Sequence, residues 1–197
     1  RDILQKAGRD EAMKFFGMDP RDVRKVLLVS GGSLGARSVN NAVLENIGRI
    51  LGMGFRVVWQ AGQADHDRIA AATRQFSRAD VWTGAFIDRM EYAYAAADLV
   101  LSRAGATTIA ELTRLGKPAL LVPYPLAAAD HQTLNARAME QAGAALLIGD
   151  PDARVRLVPA LEDVLAAGRL DAMAKASASL GRPGAAGVIA KHVLDLN

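Results

Sequence analysis

The chain has 197 residues, 51% hydrophobic and 23% charged, enough for one sizeable core and ordinary for a soluble α/β domain. Cysteine is absent, which excludes disulfides, thiolate metal sites and a cysteine nucleophile. The formal net charge is +3 and the pI near 9.4. No Lys/Arg run interleaved with aromatics accompanies this basicity, so nucleic acid is not favoured, while an anionic ligand or a membrane surface stays open.

No apolar run reaches the ~18 residues that a spanning helix needs. No signal peptide is expected. The chain begins with Arg1 and not Met, so a trimmed piece of something longer is expected.

Residues 9–18, RDEAMKFFGM, read as a short helix with Ala12, Phe15 and Phe16 inward. Pro20 and the charged RDVRK segment lead into a first strand at 25–30. The loop SGGSLGAR follows. Residues 36–51 form a helix with Val39, Val43, Ile47 and Ile50 on one face, ended by Gly52 and Gly54. A second strand spans 55–60, and Asp65 caps a helix to about Phe76. A short third strand, 80–83, precedes the turn Ala85-Phe86-Ile87-Asp88 and an alanine-rich helix. Residues 98–102 suit a fully buried parallel strand. Gly105 breaks it, and Thr107 or Thr108 caps a helix carrying Ile109, Leu112 and Leu115 inward. Gly116 stops that helix and Pro118 forbids its return. A fifth strand, 120–123, opens into a small-residue loop, and Asp130 caps the helix beginning His131-Gln132. A sixth strand spans 144–148. The remainder is helical, with breaks near Gly168 and Gly181–Gly184. Strands alternating with helices imply a Rossmann-like, doubly wound parallel sheet of about six strands with right-handed crossovers.

Ligands of open α/β sheets bind outside the carboxyl ends of the strands. The loop SGGSLGAR joins a strand to a helix there, placed to hold a phosphate, with Ser33 as an added donor. Tight helix–strand packing would equally explain Gly35. The spacing G-x-G-x-x-G is absent, and Gln60 stands where a nicotinamide enzyme carries an acid. No G-K-[ST] occurs, so this is not a phosphate-loop ATPase.

The helix after Gly105 also presents its N-terminus, favouring an anion by ~0.3–1 kcal/mol. Glu111, about one turn inside it, would repel a phosphate. An acceptor-only carboxylate suits a pair of ribose hydroxyls; helix stability alone is the other reading. Asp65-His66-Asp67 and Asp150-Pro151-Asp152 match the D-x-D pattern of metal-dependent sugar transferases, but each precedes a helix where Asp is an ordinary cap, and no metal is expected. His66 and His192 read as solvated. His131 opens a helix at the ligand-bearing edge, as a cap or a sugar-hydroxyl contact. Ser33 and Ser102 lack the G-x-S-x-G elbow of a serine hydrolase.

Taken together, SGGSLGARSVN, GAFIDRMEYAYAAADLVLSRAGATTIAEL and PALLVPYPLAAADHQTLNA resemble the C-terminal half of the MurG family, over nearly the whole chain and in order. These transferases move N-acetylglucosamine from its UDP carrier to lipid I in peptidoglycan synthesis. The resemblance implies the C-terminal half of a GT-B glycosyltransferase: two Rossmann-like domains facing a cleft, no metal or other cofactor, and inversion at the anomeric carbon. It implies that residues 1–197 form the domain binding UDP-N-acetylglucosamine. The acceptor domain, with the catalytic base, the lipid I site and the contact with the cytoplasmic face of the inner membrane, lies outside this chain.

Carried over by position, Glu111 holds the ribose hydroxyls, the Ile87 backbone after Phe86 reads the uracil, and Met90 lines that pocket. Ser33 and the glycine loop match the phosphate contact. Ala106, Thr107 and Thr108 match the loop near the diphosphate, His131 and Gln132 the sugar hydroxyls, and Arg1 an arginine near the diphosphate, although the N-P-V segment preceding it is missing. The isolated chain is expected to bind donor without turnover. Two other classes compete: a donor-binding subunit recruited by a membrane partner, as in the split eukaryotic dolichol-linked system, and a structural Rossmann-like domain with no ligand.

Overall fold

The computed structural model describes residues 7–32, 35–182, 184, 185, 187 and 192. Arg1 and Ser33 lie outside the described residues. Alternating strand and helix give one parallel sheet built from β1 (Lys25–Ser30), β2 (Phe55–Gln60), β3 (Val81–Gly84), β4 (Leu99–Ser102), β5 (Ala119–Leu121) and β6 (Ala145–Leu147). Its order is β3-β2-β1-β4-β5-β6, every neighbouring pair parallel. The order reverses between β1 and β4, and this switch point leaves a crevice at the carboxyl edge.

Eight α-helices are described, besides two single 3-10 turns: α1 (Arg9–Phe15), α2 (Arg37–Gly52), α3 (His66–Thr73), α4 (Met90–Ala96), α5 (Ala106–Leu115), α6 (His131–Gln141), α7 (Ala153–Val164) and α8 (Arg169–Ser179). Successive strand residues point to opposite faces. Leu27 and Val29 therefore join one core with α2, α3 and α7, while Val26 and Leu28 join the other with α1, α4, α5 and α6. Such coverage requires strands apolar on both sides, and β2 is buried along its whole length. Each fully buried Val or Leu contributes about 1.5–3 kcal/mol.

The expected strands are all present; β1 and β2 fall on the expected residues and the other four have shifted ends. Pro123 has no N–H to give, so β5 stops early, although Val122 still donates to the Ser102 carbonyl at 2.9 Å. Asp80 belongs to a turn: its N–H meets the Ser77 carbonyl and its carboxylate takes Ser77 and Arg24.

The cap assignments need correction. Gly105 is the N-cap of α5, so Thr107 and Thr108 lie in its first turn. Asp65 and Asp130 occupy N-cap positions, but neither side chain accepts a backbone N–H of its helix as a cap. Asp130 has a left-handed backbone, φ 53°, unlike the extended backbone from which a cap reaches back. Asp65 gives its oxygens to Asn40 and Arg68. Gly116 does end α5, in the left-handed conformation at φ 62°. Phe15 is exposed; Met13 takes its expected inward place beside Ala12 and Phe16. The Phe15 ring packs against those of Phe16 and Tyr92, with centroids 5.1 Å away.

The amino edge of β1 to β3 is tied by charge. Arg56, 2% exposed, pairs with Asp22 and donates to the Asp19 carbonyl. Arg24 bridges Asp22 at 2.8 Å and Asp80 at 2.7 Å. Arg24, through its side chain and N–H, and then the Arg56 charge hold Asp22 well below the usual carboxylate range against the opposing effect of burial. A depressed carboxylate adds stability above its unfolded pKa, near 3.9, that is lost as pH falls toward the folded value. Removing the charge also strands buried Arg56, whose Nε already lacks a partner among the described residues. Asp22→Asn should therefore cost about 3 kcal/mol in urea unfolding at pH 7. The gap from the parent should narrow as pH drops below about 4; a gap constant from pH 7 to pH 3 would contradict this account.

Candidate functional site

A cleft of about 620 Å³ opens at the switch point. The β1–α2 segment contributes Gly31, Gly32, Gly35 and Ser38 to its wall. Arg103, Gly105 and Thr108 come from the β4–α5 segment, and Tyr124, Gln132 and Asp150 close the far side. Gly35 has φ 78°, and a Cβ there would sit 2.8 Å from the Ala61 carbonyl oxygen. Backbone packing alone therefore demands glycine at this position. The α5 N-terminus borders the cleft and contributes its partial positive charge there, while the neighbouring Arg103 cation is paired with Asp150 of the same wall.

Three buried or half-buried side chains hold the loops. Arg103 donates to the Val122 and Pro123 carbonyls, each at 3.1 Å, to Ser38 Oγ at 3.0 Å, and to Asp150. Ser38 in turn donates to Asp150 at 2.5 Å. Gln132 Oε1 accepts from the Ala104 and Tyr124 N–H groups at 3.3 and 3.0 Å. These contacts leave its amide NH₂ available as a donor on the cleft wall. Gln60, 3% exposed, donates through Nε2 to the Gly32 carbonyl at 3.0 Å and accepts the Ile87 N–H at 3.2 Å. It thereby joins the glycine loop to the segment after β3.

Of the expected site residues, Thr108 and Gln132 line the cleft. Ala106 and Thr107 are exposed in the adjoining first turn of α5. Glu111 is half-buried further along α5, where its Oε2 accepts the Tyr94 hydroxyl at 2.7 Å. Tyr94 belongs to α4, the helix that Met90 opens. Phe86 is 57% exposed and Ile87 2% exposed. With the Ile87 N–H taken by Gln60, its carbonyl is the polar group that remains. His131 is exposed, its Nδ1 2.7 Å from the Ala128 carbonyl oxygen, a contact within the loop. The two D-x-D pairs lie apart: Asp150 belongs to the Arg103 cluster and Asp65 to the Asn40–Arg68 cluster.

Sequence reading missed Arg103 and Tyr94, and used Gln60 only as an exclusion. A lone arginine closing an apolar strand run, and a tyrosine inside an alanine-rich helix, were the available signals. A second hollow, about 430 Å³, lies at the amino edge beside Arg9, Tyr94 and Lys117. There Arg9 bonds Asp98 and Lys117 donates to the Ala97 carbonyl.

The glycosyltransferase family 28 C-terminal domain matches residues 26–189. The chain is 47% identical over 191 residues to the UDP-N-acetylglucosamine--N-acetylmuramyl-(pentapeptide) pyrophosphoryl-undecaprenol N-acetylglucosamine transferase of Chlorobaculum parvum, covering 96% of this chain and 51% of that protein. The protein of the same name from Nitratidesulfovibrio vulgaris is 46% identical over 181 residues, covering 90% and 50%. The crystal structure of Acinetobacter baumannii MurG superposes with a TM-score of 0.74 at 29% identity, covering 98% of this chain and 54% of that one. The chain thus spans about half the length of the relatives it matches. It belongs to glycosyltransferase family 28, as a C-terminal domain of that family.

Proposed function

We propose that this chain is the donor-binding part of an inverting hexosyltransferase that moves N-acetylglucosamine from UDP-N-acetylglucosamine to lipid I, forming lipid II. The observation that carries the reading is the cleft itself. It lies at the switch point between a glycine loop and a helix N-terminus, with an acceptor-only carboxylate one turn further along that helix. The kinship with transferases of that name supports it.

In this reading the diphosphate meets the glycine loop and the α5 N-terminus, where Ala106, Thr107 and Thr108 begin the helix. Ser33 and Arg1 are assigned to the same charge. The ribose hydroxyls donate to Glu111, the Ile87 carbonyl accepts the uracil N3–H, and Phe86 and Met90 flank the base. The Gln132 NH₂ and His131 serve the sugar hydroxyls. The acceptor hydroxyl bonds to the anomeric carbon while the bond to the diphosphate oxygen breaks, and UDP departs. Cation and N–H groups stabilise charge growing on the leaving group. The base that takes the hydroxyl proton, the lipid I site and the surface resting on the cytoplasmic face of the cell membrane belong to an N-terminal acceptor domain not contained in residues 1–197. Among the described residues no helix is long and apolar enough to cross a membrane.

Calorimetry should show UDP binding and ADP binding far more weakly; equal or absent binding would support a domain with no ligand. Glu111→Ala should weaken UDP binding by ~1.5–3 kcal/mol, the range of a charge-assisted contact, and an unchanged dissociation constant would remove Glu111 from the ribose. Gln132→Glu keeps the oxygen that the two loop N–H groups need but loses the donors. It should leave the melting temperature within a few degrees, leave UDP binding intact, and weaken UDP-N-acetylglucosamine about tenfold, one lost hydrogen bond. With UDP-N-acetylglucosamine and a lipid I analogue, residues 1–197 alone should give no turnover above background. Measurable turnover would place the base within this chain.

A further inference from the structure

We propose that Tyr94 is a positioning residue for Glu111, and that its hydroxyl sets how strongly the site distinguishes ribose from deoxyribose. The inference rests on the reading that Glu111 grips the ribose, and it deepens that reading. Tyr94 is 3% exposed and lies on α4; its hydroxyl donates to Glu111 Oε2 of α5 at 2.7 Å. No other described residue bonds that carboxylate. Burial, and then the neighbouring Glu111 charge, push the phenol pKa far above its ordinary value. The phenol is therefore a donor at every working pH, and an ionised carboxylate can only accept.

A free glutamate samples many rotamers, and a ligand that needs one of them must order it on binding. With Oε2 held from behind, Glu111 is ordered beforehand. Its Oε1, and the second lone pair of Oε2, are left for the two adjacent ribose hydroxyls. Removing the Tyr94 hydroxyl leaves the charge in place and frees its direction. Contacts to base and diphosphate come from other residues, among them Phe86, Met90 and the first turn of α5, and should be untouched.

The readout is the ratio of dissociation constants for 2′-deoxy-UDP and UDP, measured by calorimetry on the 197-residue chain. Tyr94→Phe should lower this ratio about three- to tenfold, the effect of one hydrogen bond. The change should arise mainly from weaker UDP binding, with 2′-deoxy-UDP, which keeps one hydroxyl on Glu111, weakened less. A loss of packing would weaken both nucleotides equally and leave the ratio alone, which would overturn the proposal. Glu111→Gln separates the two levels of the argument. If it leaves the ratio at the parent value, the ribose reading itself fails. If it collapses the ratio while Tyr94→Phe does not, only the role of Tyr94 fails. Should Tyr94→Phe not fold, the double variant with Glu111→Gln strands no charge and carries the comparison. A ratio equal to that of Glu111→Gln alone supports action through Glu111, and a further drop overturns it.

Discussion

One guanidinium organises the carboxyl edge of this sheet. Arg103 follows β4 directly, and its donors reach the end of β5, the first turn of α2 and the turn at Asp150. Its side chain is 14% exposed and that of Asp150 18%, so neither ion is well hydrated. A half-buried ion pair is a poor source of stability, because desolvation offsets most of the attraction. Its value here is geometric. Taking away either partner leaves the other charged and unpaired, so the segments it joins are held in one arrangement. The Tyr124 ring, 5.4 Å from the guanidinium carbon, covers the cation from the cleft side.

Neutral amides do the same work where a second charge would be too costly. A loop that must present N–H groups to a ligand still has others that need partners. Gln132 satisfies two of them with a single oxygen. Gln60 uses both ends of its amide, one on the glycine loop and one on Ile87. Asn135 donates to the Ala104 carbonyl at 3.0 Å. The cleft walls are thus fixed by side chains that leave the first-turn amides of α5 uncommitted, while in the glycine loop the Gly32 N–H already donates to Ser30 Oγ at 3.4 Å and the Gly35 N–H to the Gly32 carbonyl at 3.1 Å.

The sheet was legible because its physics is local. A parallel strand covered on both faces must be a short apolar run, and Lys25–Ser30 and Phe55–Gln60 read as such to the residue. The inward face of α2 followed from helical spacing: Val39, Val43, Ile47 and Ile50 are all buried. Gly116 as a terminator followed from the left-handed backbone that only glycine adopts easily. The caps were not legible, because Asp130 precedes its helix from a left-handed backbone that composition does not reveal. Phe15 failed because a two-turn helix at the edge of the molecule has one inward line, and Met13 shares it with Ala12 and Phe16. The site was half legible. Glu111 stood out as an acid beside an anion-favouring helix end, but its partner is 17 residues away on another helix. The partners of Gln60 lie 28 and 27 residues off, and two of those of Arg103 lie 47 and 65. No spacing rule reaches that far; only the crossover topology brings them together.

The proposed donor complex puts an acid close to an anion, which looks self-defeating, and magnitudes decide the matter. Five residues separate Ala106 from Glu111 in α5, or about 7 Å along the axis. At that distance repulsion is about 0.6 kcal/mol per unit charge in water and about 2.4 at an effective dielectric of 20. A diphosphate doubles it. Two ribose hydroxyls donating to one carboxylate return roughly 1.5–3 kcal/mol each, and the helix end adds ~0.3–1 for the anion. Doubled for a diphosphate, the repulsion runs from about 1.2 to about 4.8 kcal/mol and the attraction from about 3.3 to about 7, so the attraction wins under water-like screening and the two are comparable at the lower dielectric, where a carboxylate already ordered before the ligand arrives tips the balance. The same arithmetic requires the carboxylate to stay about a turn away from the phosphates. Moved to the first residue of α5, it would meet them at hydrogen-bond distance and cancel the helix end altogether. In the proposed donor complex, charge separation along a single helix would therefore set the order in which the nucleotide lies on it, phosphate at the tip and sugar one turn below.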